Sequence, residues 1–317
     1  MSKRVIALLS GGISSEREVS LSSGNQVFEA LDKTRYEVLR YDPQTDLPRL
    51  VVDAGRIDAA LIILHGPYGE DGTVQGLLDL LDIPYQGAGV LGSAVAMNKL
   101  AAKRLYAEAG LLMPPYCIVK RGVLPELGGC VQHLGLPMVV KPVSGGSSIG
   151  IAVVDTVEAL RDAVTEAFRF DDRVMLEKYI QGTEITGAVL GNEEPQALPL
   201  IEIVPGEGHI FFNYQAKYTA GETSEICPAR ISEPLTAAAQ RVAVQAHEAL
   251  FCRGYSRTDM IVQQDKIFVL ETNTIPGMTA TSLFPQAAAK AGLDFPRLLD
   301  RLIELSLEGR TPRSTAT

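Results

Sequence analysis

Residues 255–278 read "YSRTDMIVQQDKIFVLETNTIPGM", and they decide how the C-terminal part of the chain folds. The runs "YSRTDMIV" and "KIFVLETN" are rich in β-branched and apolar residues, which favours two strands, and "QQD" between them favours a hairpin loop. Side chains alternate along a strand, so Arg257 and Asp259 share a face, as do Glu271 and Asn273. Folding the hairpin brings Asp259 nearly opposite Glu271, although a slip of one residue would reverse one face.

If the faces agree, Asp259, Glu271 and Asn273 form a cluster of oxygen ligands just before the break at Pro276-Gly277. Hard cations such as Mg²⁺ prefer oxygen ligands and take the rest of their shell from water and phosphate. The alternative interpretation is an ordinary polar face on an antiparallel hairpin.

Length and composition narrow the class of protein. The 317 residues exceed one ordinary core, so we expect two or three domains. The net charge of −9 argues against non-specific binding to nucleic acid or to an anionic membrane. No apolar stretch approaches the roughly 20 residues that span a bilayer, and the first apolar run is too short for a signal peptide.

The four cysteines show no C-x-x-C spacing, and the four histidines are widely scattered. Disulfides and zinc are therefore not expected, and a cytoplasmic location fits.

The first 95 residues alternate strand and helix patterns. The runs "RVIALL", "YEVLRYD" and "DAALIIL" are typical of buried parallel strands, and "SLSSGNQVFEALD" is typical of a helix with Ser22 or Ser23 as its N-cap. This order predicts an open parallel sheet, whose ligands bind beyond the carboxyl ends of the strands. The loops at 10–20 and 65–73 are therefore expected to open onto one crevice.

We expect three domains in the α/β class: an N-terminal α/β domain over 1–95, a central α+β lobe over 96–186 and a C-terminal lobe over 187–317. In the last of these, the segment 205–228 has no helix or strand run of useful length. Long irregular segments of this kind are usually lids or disordered, so 205–228 is predicted to be a lid loop.

A glycine-serine loop, "SGGSSIG" at 144–150, lies between two predicted strands and is suited to holding phosphate oxygens with backbone N–H groups. It lacks the Gly-Lys-Ser/Thr of a P-loop. Its G-S-S-I-G matches a nucleophile elbow with Ser148, but that motif requires a following helix, whereas "IAVV" predicts a strand. A plain hairpin turn remains the other interpretation.

Several isolated charged residues are ambiguous one at a time. Glu16 follows the first strand and is equally explained as an acid at a helix N-terminus. His65 lies in a glycine-rich loop after the third strand, where a structural histidine is as reasonable as a functional one. Lysines at strand and helix ends suit phosphates, and a nearby carboxylate suits a ribose hydroxyl.

Taken together, eight segments resemble the D-alanine–D-alanine ligases, which are ADP-forming enzymes of the two-lobed ATP-grasp fold. In chain order they are "GGISSEREVSLSSG", "HGPYGEDGTVQGLLDLLDIPYQGAGV", "MNKLAAKRL", "VVKPVSGGSSIG", "LEKYIQGTEIT", "YQAKYTAGE", "SRTDMIV" and "LETNTIPGMTATS". The resemblance runs from about residue 4 to 303 in the family's order. Pro67-Tyr68 departs from it, because the family often has a basic residue there.

The resemblance implies ligation of two D-alanines through a D-alanyl phosphate, with release of ADP and phosphate, for peptidoglycan precursor synthesis. It implies these roles: catalytic Glu16, Ser147, Tyr218 and Arg257; substrate-binding His65, Lys217, Gly277, Ser282 and Leu283; ATP-binding Lys99, Lys141, Glu177, Lys178, Glu184 and Phe211; and metal-binding Asp259, Glu271 and Asn273. The metal would be two Mg²⁺ ions, with Mn²⁺ as an alternative.

The resemblance further implies a homodimer that acts on small molecules and binds neither nucleic acid nor membrane. Three other functions stay open: a ligase that joins D-alanine to D-lactate, an ATP-grasp ligase for other amino acids, and a nucleotide-binding regulatory protein without catalysis. Tyr218 favours an amine nucleophile, and the complete metal set with Arg257 favours an active enzyme.

Overall fold

The structure is a computed structural model, and it describes residues 3–122, 127–146, 150–206 and 223–308. The strands are β1 Arg4–Leu9, β2 Tyr36–Tyr41, β3 Ala59–Ile62, β4 Tyr116–Lys120, β5 Met138–Pro142, β6 Ala152–Val154, β7 Arg173–Lys178, β8 Thr183–Gly191, β9 Gln196–Ala197, β10 Ile201–Pro205, β11 Thr223–Ile226, β12 Gly254–Gln263 and β13 Lys266–Asn273. The helices are α1 Arg17–Ala30, α2 Leu47–Asp53, α3 Thr73–Leu80, α4 Val90–Met97, α5 Lys99–Glu108, α6 Leu127–Leu134, α7 Val157–Ala167, α8 Glu233–Ala249, α9 Leu283–Lys290 and α10 Phe295–Leu307. Within the described residues, no helix has both the length and the apolar composition needed to cross a membrane.

The N-terminal sheet is parallel, with strand order β2-β1-β3. Arg4 is opposite Tyr36, and Ile6 is opposite Ala59. This confirms the predicted open parallel sheet. The loops that follow β1 and β3 leave from the same edge, as the shared strand direction requires.

Helix α1 begins at Arg17, so the expectation that Ser22 or Ser23 caps it was wrong. One serine of this segment, Ser20, attaches the helix to the sheet instead. The hydroxyl of buried Ser20 donates a hydrogen bond to the carbonyl of Ile63, next to β3. A serine buried within a helix in this way cannot serve as its cap.

The second sheet is antiparallel, with order β4-β7-β5-β6. Helices α6 and α7 cover it, and α7 buries a stripe of Leu160, Val164 and Ala167 against strand residues such as Met138 and Val174. The strand–loop–strand prediction for 138–154 is confirmed, because β5 and β6 pair antiparallel around the glycine-serine loop.

The third and largest sheet runs β11-β10-β8-β12-β13, with β9 beside β8. Helix α8 packs on one face, while α9 and α10 pack on the other. On this second face Tyr255 meets Phe284 edge-on, with ring centroids 5.3 Å apart. The same core includes Ile6 and Leu8 of β1, so the large sheet and the N-terminal sheet share one hydrophobic core.

The expected boundary at residue 186 falls inside β8, Thr183–Gly191. Thr183 and Glu184 already pair with β12, so the whole strand belongs to the largest sheet. We therefore propose that the boundary between the two lobes lies before Thr183, and we keep the three-domain division as a proposal.

The predicted lid loop, 205–228, overlaps two strands. Pro205 ends β10, and Thr223 lies opposite it at the start of β11. The expectation of no strand in this segment was therefore wrong for 223–226, where pairing with β10 supplies the backbone hydrogen bonds. The lid hypothesis now concerns 207–222, which lie outside the described residues.

Candidate functional site

Strands β12 and β13 form the predicted hairpin, with a two-residue turn at Gln264–Asp265. Gln264 has a φ of 54°, in the left-handed region that such tight hairpin turns require. From this turn the strands pair regularly as far as Met260 opposite Val269.

Beyond that pair a β-bulge shifts the register by one residue, with Leu270 as the extra residue. Asp259 is therefore opposite Glu271, and Arg257 is opposite Asn273. A regular hairpin would have placed Asp259 opposite Leu270 and turned Glu271 to the other face. The bulge thus brings the acidic, amide and guanidinium groups to one face, as the sequence predicted.

The opposite face of the same hairpin is buried. Tyr106 of α5 donates a hydrogen bond of 2.7 Å to the hydroxyl of Thr272, which is 2.9 Å from the hydroxyl of Thr258. This hydrogen-bonded row fixes the hairpin against α5, so the polar face with Glu271 must point the other way.

Arg257 and Asp259 form a forked ion pair. Nε of Arg257 lies 2.9 Å from Oδ1 of Asp259, and Nη2 lies 2.9 Å from Oδ2. The hydroxyl of Thr186 donates a further bond of 2.7 Å to Oδ1. Both side chains are nearly buried, so this pair holds the guanidinium plane in a fixed orientation.

The polar face opens onto a cleft of about 330 Å³ where the three sheets meet. Predicted site residues that line the cleft are Glu16, His65, Lys99, Arg257, Glu271, Asn273, Gly277, Ser282 and Leu283. Predicted site residues that are described but lie outside its lining are Lys141, Glu177, Lys178, Glu184 and Asp259. The cleft therefore unites residues that are up to 267 positions apart in the sequence, from Glu16 to Leu283.

The N-terminal sheet contributes carboxylates and one histidine. Glu16 is at the N-cap position of α1 and is buried, so its structural and functional interpretations are compatible. Nδ1 of His65 lies 3.8 Å from Oε1 of Glu70, whose Oε2 accepts a 2.8 Å bond from the N–H of Gly66. Burial lowers the pKa of His65, but Glu70 and Glu16 outweigh it, so that its pKa lies above the usual 6.5.

Lys99 joins the glycine-serine loop to the cleft. Asn98 caps α5, accepting a 3.0 Å bond from the N–H of Ala101, and Lys99 is the first helical residue. Nζ of Lys99 donates a 2.6 Å hydrogen bond to the carbonyl of Gly145, and its N–H donates to the carbonyl of Val143. The loop is thus attached at its start to the helix that carries the lysine.

Glu177 at the end of β7 lies between two lysines. Its Oε1 contacts Nζ of Lys103 on α5, and its Oε2 contacts Nζ of Lys141 on β5. Burial alone would raise the pKa of Glu177, but Lys141 and Lys103 lower it below its ordinary value. The carboxylate is therefore ionised and links a helix to two strands.

Lys178 and Glu184, the other two described residues that were predicted to bind ATP, lie at the edge of this group. Lys178 is the exposed last residue of β7 and pairs with Met138 of β5. Glu184 is half-buried on β8, opposite Ile203 of β10. Lys178 and Glu184 belong to different sheets, so the gap between the two lobes separates these two residues.

At the far end of the cleft, Ser282 occupies the N-cap position of α9, directly before Leu283. Its Oγ accepts a 3.1 Å bond from the N–H of Thr279, and an added Cβ on Gly277 would lie 3.0 Å from the same oxygen. A helix N-terminus with unpaired N–H groups attracts carboxylates. This end of the cleft can therefore hold a carboxylate ligand.

Four predicted site residues, Ser147, Phe211, Lys217 and Tyr218, lie outside the described residues, as does Ser148. The described chain resumes at Gly150 and continues into β6, a strand. The strand–turn–helix context that a nucleophile elbow needs is absent from this described stretch, which removes the support for a serine hydrolase.

Two buried residues near the cleft were not identified from the sequence: Lys103 and Glu70. Lys103 follows Lys99 by four residues and Tyr106 follows Lys103 by three, so all three share one face of α5. That spacing was the available signal. Glu70 had no periodic signal, because it lies in a loop.

The described residues contain no group of three His, Cys, Asp or Glu side chains arranged to hold a metal ion. Asp259 and Glu271 supply two carboxylates, and Asn273 supplies an amide. The four cysteines, all described, are free thiols.

Comparison with known proteins agrees with this geometry. The family model "D-ala D-ala ligase C-terminus" matches residues 105–304, and "D-ala D-ala ligase N-terminus" matches residues 48–88. The chain is 63% identical over 306 residues to the D-alanine–D-alanine ligase of Syntrophobacter fumaroxidans, covering 96% of this chain and 98% of the relative.

Two solved structures have the same architecture. The D-alanine–D-alanine ligase of Bacillus anthracis complexed with ATP has a TM-score of 0.83 and 36% identity, covering 96% of this chain and 97% of that one. The VanG D-Ala:D-Ser ligase of Enterococcus faecalis has a TM-score of 0.83 and 32% identity, covering 96% and 100%. On the length and identity of these matches, the chain belongs to the D-alanine–D-alanine ligase family of ATP-grasp enzymes.

Proposed function

We propose that this protein joins two D-alanine molecules to D-alanyl-D-alanine through a D-alanyl phosphate, with release of ADP and phosphate from ATP, for peptidoglycan precursor synthesis. The observation that carries the proposal is the single cleft that unites Glu16 and His65, Lys99 with the glycine-serine loop, and the Arg257–Glu271 face. A carboxylate is a poor acyl donor, so ATP first converts one D-alanine into an acyl phosphate.

Phosphoryl transfer depends mostly on positioning and charge stabilisation. Lys99 is bonded to the loop carbonyl of Gly145, and Lys141 is the second-last residue of the strand before that loop, so both ammonium groups suit the phosphates of ATP. We assign the adenosine part of ATP to Glu177, Lys178, Glu184 and Phe211.

Asp259, Glu271 and Asn273 would hold two Mg²⁺ ions, with Mn²⁺ as an alternative. The donor set fits Mg²⁺, because all three donors are hard oxygens on one face of the hairpin and leave most of the shell to phosphate and water. Bound Mg²⁺ would neutralise the phosphate charge that develops during transfer.

Arg257 is the candidate group for stabilising the oxyanion that forms when the second D-alanine attacks. It lines the cleft and shares the hairpin face with the metal set, so its guanidinium would lie beside the reacting phosphate and carbonyl of bound substrates. The second D-alanine would place its carboxylate at Ser282 and Leu283, at the N-terminus of α9, close to Gly277.

The first D-alanine would place its ammonium near Glu16 and His65. Glu16 would act with Ser147 and Tyr218 in holding the lid closed, and Lys217 of the same lid would contact substrate. A closed lid excludes water, which would otherwise hydrolyse the acyl phosphate. We further propose that the enzyme acts as a homodimer in the cytoplasm.

Phosphate release with ATP, Mg²⁺ and D-alanine tests the proposal, with L-alanine as the control. Parallel reactions with D-lactate or D-serine as second substrate test the other ligase activities; the D-serine reaction is included because of the D-Ala:D-Ser relative. D-alanine-dependent phosphate release together with dipeptide formation supports the proposal. Nucleotide binding without turnover would instead indicate a regulatory protein.

A further inference from the structure

Lys103 is a buried lysine with no role in the proposed reaction. Its side chain is only about 1% exposed, and lysine is almost never fully buried unless it is paired. It lies on α5 one turn after Lys99, and Nζ contacts Oε1 of Glu177.

The group formed by Lys103, Glu177 and Lys141 carries two positive charges and one negative charge. Buried charges are tolerated when they are paired, so a net positive group favours an anion from outside. Lys141 is the more exposed of the two lysines, with 7% of its side chain accessible against 1% for Lys103. The excess charge is therefore available at Lys141, at the start of the loop proposed to hold phosphate.

We infer that Lys103 is a positioning residue for the nucleotide phosphates, which it does not touch. By occupying Oε1 of Glu177, it leaves Glu177 only one oxygen for Lys141. Without Lys103, Glu177 and Lys141 would form a neutral one-to-one pair, and Lys141 would bind phosphate less well. This inference rests on the proposed ATP-dependent function.

The distinctive readout is the contribution of phosphate to binding, measured as the ratio of the Kd of adenosine to the Kd of ADP at a fixed Mg²⁺ concentration. ADP is used because it is not consumed, and adenosine has no phosphate. We expect Lys103→Met to raise the Kd of ADP about tenfold or more, as for a weakened charge-assisted hydrogen bond. The Kd of adenosine should change by less than about twofold.

Two further variants test the charge balance. Lys103→Arg keeps the positive charge and should recover part of the ratio. In the double variant Lys103→Met/Glu177→Gln, Lys141 is the remaining charge of the group, so the group again has one net positive charge. The ratio of the Kd of adenosine to the Kd of ADP should therefore be higher than in Lys103→Met, even if adenosine binds less well. It also keeps the inference testable if Lys103→Met alone fails to fold.

Leu160→Ala in the core of the same lobe is the matched control for lost stability, because it creates a buried cavity under α7. It should lower the melting temperature without changing the ratio. An unchanged ratio in Lys103→Met, or equal weakening of ADP and adenosine, overturns the inference. Wild-type protein that binds neither ligand overturns the proposed function, and the inference with it.

Discussion

Arg257→Lys tests the assignment of the oxyanion group. The substitution keeps the positive charge and removes the planar fork. In the structure that fork makes two bonds of 2.9 Å to the two carboxylate oxygens of Asp259, and a lysine has only one nitrogen to offer.

The expected effect on turnover follows from the number of donors lost. With one nitrogen in place of three, lysine cannot both bond Asp259 and reach a developing oxyanion in the same geometry. Loss of one oxyanion donor costs about 10²–10³ in kcat, or about 2.7–4 kcal/mol of transition-state stabilisation. The affinity for ADP should change little, because the fork lies on the hairpin face rather than beside the lysines.

The assay compares kcat for dipeptide formation with the Kd of ADP. Arg230→Lys is a matched control, because Arg230 makes the same kind of fork to Glu202, at 2.9 and 2.8 Å, outside the cleft lining. It should leave kcat unchanged. Equal losses of kcat and ADP affinity in Arg257→Lys would make Arg257 a phosphate ligand and refute the oxyanion assignment.

Three other variants extend the tests. Glu271→Gln removes one charge of the metal set and should nearly abolish turnover and weaken Mg²⁺-dependent ATP binding at an unchanged melting temperature; near-normal turnover at ordinary Mg²⁺ would reject the metal assignment. Burial lowers the pKa of His247 from 6.5 to about 4. Between these two values the unfolded chain binds a proton at this histidine and the folded chain does not. Lowering the pH from 6.5 to 4 should therefore reduce the free energy of unfolding by about 3 kcal/mol. In urea unfolding, the free energy of unfolding of His247→Gln should no longer fall with pH in this way, whereas that of the exposed control His133→Gln should. The same pH dependence in both variants would contradict the assignment to His247. Tyr218→Phe should increase the ATP hydrolysed per dipeptide, and hydrogen exchange in 207–222 that is equally slow with and without ligands would exclude a lid.

The hairpin shows which features of the site could be predicted from the sequence and which could not. Strand propensity and two-residue alternation predicted two strands with Arg257 and Asp259 on one face and Glu271 and Asn273 on one face, and the structure confirms both. What alternation could not give is the relative register, because a bulge depends on packing rather than on local sequence. Thr272 and Val269 both face the core although they are three residues apart, which a regular strand forbids.

Contacts between residues that are far apart in the sequence could not be predicted either. The resemblance to the ligase family implied that Glu177 and Lys141 belong to the nucleotide side. Their contact with Lys103 depends on how α5 crosses the second sheet, and no local pattern encodes that crossing. The α1 boundary was wrong for a related reason: Ser22 and Ser23 suggested a cap, but the helix begins at Arg17, and Ser20 within its first turns bonds to the carbonyl of Ile63, a contact that no local pattern encodes.

The bulge also affects how relatives should be aligned. Leu270 is the residue that the partner strand leaves unmatched, so a relative without it would have a regular hairpin with the same three facing pairs. A one-residue gap at this point therefore preserves the site. A gap placed anywhere between Leu270 and Asn273 to improve an apparent residue match would assign the ligands to the wrong positions. Annotation transfer across such gaps should follow the strand pairing, with Asp259 opposite the acid and Arg257 opposite the amide.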